Sequence, residues 1–164
     1  MLRIIGAILL TICSTAVGAL YAKRLRLRCD ELTNIIKMVD IIEGEIGFNA
    51  RSIAQIFEEL KASHLAKTCK LVSVCDGKSG EEVAKNILKN KKLLPLEPDD
   101  IKSICSFLET LGKSDTSTEV NRCKMQKSTL KMHLDEALQT CKNKTKLCYT
   151  LGLFAGLTVS ALVV

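Results

Sequence analysis

The sequence predicts an all-α protein: N- and C-terminal transmembrane helices continuing into a long antiparallel helical pair that is capped by short helices, about six helices in all. Three observations predict it. The chain has only two prolines and little β-branched alternation, so nothing in it reads as a sheet. Both ends are long apolar runs without charge, and between them apolar residues recur at three- and four-residue steps.

From Ile4 to Ala22 and from Leu147 to Val164 there is no Asp, Glu, Lys, Arg or His. A helix needs ~20 apolar residues to cross a hydrocarbon core about 30 Å thick. These runs are therefore read as transmembrane helices at 1–22 and 147–164, flanking a helical-bundle domain at 23–146. Gly152 and Gly156 form a small-residue pair suited to helix packing inside the second run, and Ser14 with Gly18 offers a comparable surface in the first.

The net charge of +6 is concentrated at the borders of these runs. All 18 acidic side chains lie between Asp30 and Glu136, whereas Lys23, Arg24, Arg26 and Arg28 follow the first run and Lys142, Lys144 and Lys146 precede the second. Basic clusters beside transmembrane helices are retained on the cytoplasmic side, which places the central domain in the cytoplasm and makes membrane lipid a partner. Without interleaved aromatics, the basicity does not read as a nucleic-acid footprint. A cleavable signal is the rival reading of the first run, with Arg3 as its basic start and Ala16-Val17-Gly18 as a cleavage-like segment. It would leave a secreted, disulfide-bonded protein. The length of the apolar run and the basic cluster directly after it argue against export.

The first soluble helix continues out of the membrane, with Leu32, Ile35, Ile36, Val39, Ile42 and Ile46 on one face, and ends near Gly47 and Asn49. Ser52 is an N-cap for a short helix whose stripe is Ile53, Ile56, Phe57 and Leu60. A third helix runs from about Leu65 to Cys75 and stops at the Asp76-Gly77 turn. Ser79 and Glu82 form a capping box for a fourth, with Val83, Ala84, Ile87 and Leu88 inward and Lys89 to Lys92 at its carboxyl end.

Glu97-Pro98-Asp99-Asp100 starts the next helix, because proline suits the first turn and the two carboxylates face the positive end of the dipole. Ile101, Ile104, Phe107, Leu108 and Leu111 form its buried face, and Gly112 ends it. Thr116 with Glu119 then offers a capping box for the last helix. Val120, Cys123, Lys127, Leu130, Leu134, Ala137, Cys141, Lys144 and Cys148 follow alternating steps of three and four, so this helix enters the second run without a break and spans roughly 70 Å. Lysines and cysteines on that seam make an autonomous coiled coil weak. Antiparallel packing against the first helix of the same chain is the expected arrangement.

Chemistry is sparsely represented. The eight cysteines contain no CxxC pair, and the default in a cytoplasmic domain is a reduced, small apolar side chain. His64, Cys69 and Cys75 fall short of the four ligands of a structural zinc site. His133 reads as a solvated surface residue. Glu43 and Glu45, two apart, do not share a helix face and read as solvated or bonded to a partner. No nucleophile, base or paired carboxylate stands at a recognisable spacing, so neither enzymatic activity nor a cofactor or metal is expected. A redox-active membrane thiol protein is the alternative that the cysteines raise, and Cys69 and Cys105 are natural reporters of topology for an impermeant thiol reagent.

Several segments, in this order and spacing, resemble the stage III sporulation protein AB family of endospore-forming bacteria. They are Ala22-Lys23-Arg24-Leu25, Glu43-Gly44-Glu45-Ile46 with Phe48, Leu96-Glu97-Pro98-Asp99-Asp100, Leu111-Gly112-Lys113-Ser114-Asp115, and Leu151-Gly152-Leu153-Phe154-Ala155-Gly156-Leu157. The resemblance covers nearly the whole chain. It implies a non-enzymatic platform subunit in the mother-cell membrane, part of an assembly that links mother cell and forespore. It also implies a domain similar to the cytoplasmic domains of inner-membrane platform proteins of type II secretion and type IV pilus machines (GspF/PilC-like). A secretion-type ATPase and other subunits of the same complex, with a possible homo-oligomer, are the partners it suggests. The partner-facing surface is then expected at Gly112, Ser114 and Asp115, with Asp99 and Asp100.

Overall fold

The three-and-four repeat at each end of the chain builds two helices of 48 residues, α1 (Leu2–Asn49) and α7 (Thr116–Val163). The computed structural model describes the backbone of residues 2–49, 51–77 and 79–163, and the side chains of 16, 19–49, 51–77, 79–144 and 150. Between the long helices lie α2 (Ile53–Ala62), α3 (Leu65–Thr68), α4 (Lys70–Val74), α5 (Gly80–Lys89), a 3-10 turn (Lys91–Leu93) and α6 (Pro98–Thr110). Among the described residues every regular element is helical.

The chain forms two compact units, one of Met1–Leu27 with Glu136–Val164 and one of Arg28–Asp135. Among the described residues no helix is long and apolar enough to cross a membrane. Nearly all side chains of the two expected spans, Gly152 and Gly156 among them, lie outside the described residues.

In the second unit, α1 buries Leu32, Ile35, Met38, Val39 and Ile42 completely or nearly so. Each side chain of this size contributes roughly 1.5–3 kcal/mol when fully removed from water. Also in the core are Cys123 and Leu130 of α7, Ile56, Phe57 and Leu60 of α2, Leu71 and Val72 of α4, Val83, Ala84 and Ile87 of α5, and Ile104 and Leu108 of α6. Leu88, expected inward, is 45% exposed. Gly80, Val83, Ala84 and Ile87 already complete the buried stripe of α5, and the next residue turns to its edge. Gly80 lets α5 meet α6 at the backbone, since a Cβ there would stand 2.0 Å from the Leu108 carbonyl oxygen.

Within this unit α1 and α7 run antiparallel. Gly47 lies against Val120, its Cβ position 3.4 Å from Cγ2, and Lys127 reaches back to Asp40 and Glu43 at 2.6 Å each. Lys127, a weak residue for an apolar seam, is thus paired across the two helices. Its ammonium is held above its ordinary pKa by the hydrogen bonds to Asp40 and Glu43. Glu43 therefore serves an internal contact, while Glu45 pairs with Arg51.

The caps follow the sequence in part. Ser52 and Gln55 form a reciprocal box at α2, and Ser79 Oγ accepts from the Glu82 amide at α5. The expected helix from Leu65 to Cys75 is broken at Cys69, whose backbone is extended at φ −108° and ψ 113°. The break is stabilised from outside the segment. Glu31 of α1 is 3% exposed and accepts the amides of Lys70 (3.1 Å) and Leu71 (2.6 Å), with Cys69 Sγ 3.4 Å away. One carboxylate thereby satisfies the first free N–H groups of α4 and benefits from their dipole.

At α7 the cap is Asp115 rather than Thr116. Asp115 accepts from the Thr118 amide (3.1 Å), Thr118 Oγ1 (2.6 Å) and Ser117 Oγ, which holds its carboxyl well below the usual range. Glu119 passes over Thr116 to take the Ser114 amide at 3.0 Å and pairs with Arg122. Asp115 stands directly before the helix, where an N-cap carboxylate reaches the N–H three residues on, and Thr116 falls in the first turn.

Candidate docking surface and its internal brace

Asp100 is the third residue of α6 and is completely buried. Its Oδ2 accepts from Arg28 Nε at 2.8 Å and from the Glu97 amide at 3.0 Å. Oδ1 accepts from Arg28 Nη2 at 3.1 Å and lies 2.8 Å from His133 Nδ1. Arg28 Nη1 also meets Glu97 Oε1 at 2.7 Å. Burial opposes the Arg28 charge, but the hydrogen bonds and charge of Asp100 outweigh it and hold the guanidinium above its ordinary pKa. The three residues come from α1, α6 and α7, so one carboxylate braces three helices of the second unit.

This corrects three expectations. Asp100 is not available to a partner from solvent. Arg28 belongs to the interior of the second unit and not to a membrane flank, because its side chain is 11% exposed and fully engaged. His133 is not a solvated residue but a buttress of Asp100, with 21% side-chain exposure. A signal for this existed: Arg28 stands four residues before Leu32, and His133 three after Leu130 and four before Ala137, all in phase with the buried stripes.

The remaining expected partner residues, Asp99, Gly112, Ser114 and Asp115, are exposed. Gly112 adopts φ +84°, the left-handed region that favours glycine, and a Cβ there would stand 2.8 Å from Cγ1 of Ile53. The turn therefore closes α6 against the start of α2. Directly after it, the first turns of α7 and the last turns of α1 border a groove of about 710 Å³, which includes Gly44, Gly47, Phe48, Ser117 and Val120. Phe48 is 92% exposed, the most exposed of the large apolar side chains described. Ile41 lies one heptad earlier at 38%, and around Gly44 nothing approaches a Cβ position within 4 Å. A phenyl ring in water beside open backbone is suited to recognition of another protein.

Cys69, Cys75, Cys105 and Cys123 are buried free thiols, while Cys29 is buried and Cys141 half-buried. Burial pushes the Cys69, Cys75 and Cys123 thiols up to about 12, so each stays protonated near neutral pH. Cys69 and Cys105 are consequently poor reporters of topology. Among the described residues no group of three or more His, Cys, Asp or Glu is placed to hold a metal ion, and Cys13 and Cys148 lie outside those residues.

The family model described as Stage III sporulation protein AB matches residues 3–164. No curated protein and no solved structure matches the chain.

Proposed function

The chain belongs to the Stage III sporulation protein AB family, a family of sporulation proteins, and from that membership we propose that it is a non-enzymatic platform subunit of a sporulation membrane complex linking mother cell and forespore. In this reading the uncharged runs at 4–22 and 147–164 anchor it in the mother-cell membrane, and the basic flanks keep the Arg28–Asp135 unit on the cytoplasmic side. That unit is the docking element, in the manner of the inner-membrane platform proteins of secretion and pilus machines, and a secretion-type ATPase is its cytoplasmic partner.

The observation that carries this reading is Phe48, 92% exposed at the mouth of the groove next to the Gly112–Asp115 turn. An apolar ring held in water by a braced, multi-helix unit serves binding better than chemistry.

The test is Phe48→Asp in the full-length chain, read by co-purification of the ATPase and by spore yield. Loss of both with an unchanged circular dichroism spectrum and melting curve supports docking at Phe48. Undiminished co-purification sinks it. Topology is read separately, by substituting Ser114→Cys at an exposed position and labelling with an impermeant reagent before and after permeabilisation. Labelling of intact cells at that position would place the unit outside and defeat the platform reading.

A further inference from the structure

The first unit, Met1–Leu27 with Glu136–Val164, contains the basic residues Arg3, Lys23, Arg24, Arg26, Lys142, Lys144 and Lys146 against the single acid Glu136. The net +6 of the whole chain therefore resides in this unit, and the second unit is balanced. Within the first unit, Lys144 Nζ donates to Tyr21 Oη at 2.9 Å and lies 5.4 Å from the centroid of its ring. This contact brings the two basic segments to one level. At 1.5 Å per residue, Lys23, Arg24, Arg26 and Lys142 stand within about 8 Å of it along their own helices. All five bases are exposed.

Apolar surface is exposed at the same level, Leu20 at 68% and Tyr21 at 43%. A polyanion such as nucleic acid would match the bases but not a solvated leucine beside them. Anionic headgroups above an acyl layer match both, because an aromatic ring and basic termini above apolar side chains are what the boundary of a bilayer accommodates.

We propose that Lys23, Arg24, Arg26, Lys142 and Lys144 form one collar that selects anionic phospholipid over zwitterionic phospholipid, with the Tyr21–Lys144 contact fixing the two helices at the headgroup level. The proposal rests on the membrane reading above and adds the lipid class. Arg28 is no part of it, being consumed by Asp100.

The experiment uses the full-length chain in neutral detergent, with native mass spectrometry counting phosphatidylglycerol and phosphatidylcholine bound from an equimolar mixture. The wild type retains phosphatidylglycerol in preference, and the preference falls about fivefold for each base replaced, given ~1 kcal/mol per base at an anionic surface. The combined variant Lys23→Gln, Arg24→Gln, Arg26→Gln, Lys142→Gln, Lys144→Gln retains both lipids equally, whereas Lys91→Gln with Lys92→Gln, in the other unit, changes nothing. Equal retention by the wild type overturns the collar, as does a preference that survives in the combined variant. Displacement of phosphatidylglycerol by a duplex oligonucleotide overturns it in favour of a general polyanion site. Flotation with vesicles separates the two readings: a chain that floats without lipid preference disproves only the collar, and one that floats with neither lipid disproves the membrane anchoring beneath it.

Discussion

His133 Nδ1 lies 2.8 Å from Asp100 Oδ1, joining the middle of α7 to the first turn of α6 over a carboxylate that is wholly removed from solvent. Arg28 of α1 holds the same carboxylate through two nitrogens, so the stability of three helices converges on one buried anion.

Asp100→Asn preserves the shape of that side chain while removing its charge. Arg28 is then left in its largely buried position with only the exposed Glu97 as an anion, and the expected loss lies toward the lower end of about 3–5 kcal/mol. Thermal melting of the full-length chain in detergent, followed by circular dichroism, measures it. His133→Leu, at a partly exposed position, costs only about 1 kcal/mol. Equal losses from the two variants would show that the brace is not organised around Asp100.

Gly112→Ala is destabilised twice, by the left-handed backbone at φ +84° and by contact with Ile53 at 2.8 Å. The backbone alone costs ~1–2 kcal/mol. Combining it with Ile53→Ala removes the contact and leaves the backbone term. The two substitutions together should therefore cost less than the sum of their separate effects, which a double-mutant cycle of melting temperatures resolves.

Glu31→Ala removes the acceptor for Lys70 and Leu71 amides and leaves them buried or half-buried. A loss of roughly 1–3 kcal/mol follows for each amide left unsatisfied. Amide exchange should rise first at residues 70–74, ahead of α5 and α6. Uniform exchange across the unit would mean that Glu31 does not act as a local cap.

The raised thiol pKa values have a signed consequence. In the unfolded chain a cysteine loses its proton near 9, whereas Cys69, Cys75 and Cys123 keep theirs to about 12 in the fold. The contribution is complete below pH 9 and is lost as the pH rises towards 12, because only the unfolded state releases protons in that window. Stability should fall across this alkaline range, and replacing the three thiols with alanine should flatten the pH dependence while lowering stability at neutral pH. At neutral pH, peptide mapping after alkylation should show half-buried Cys141 modified well before Cys69.

The sequence by itself determined the all-helical class, the long helix at each end, the turn at Gly112 and the caps at Ser52 and Ser79. These depend on neighbours within a few residues, whose periodicity and capping chemistry are written locally. It also determined family membership, since ordered short segments persist along nearly the whole chain. Only the tertiary structure decided where the charged residues point. Arg28 and His133 read as surface groups because each sits among charged neighbours, yet each is in phase with a buried stripe and finds Asp100 from 72 and 33 residues away. Glu31 likewise breaks a segment 38 to 40 residues distant at Cys69. A carboxylate enters a core only where donors from several helices converge on it, and that convergence is a property of packing, not of spacing along the chain.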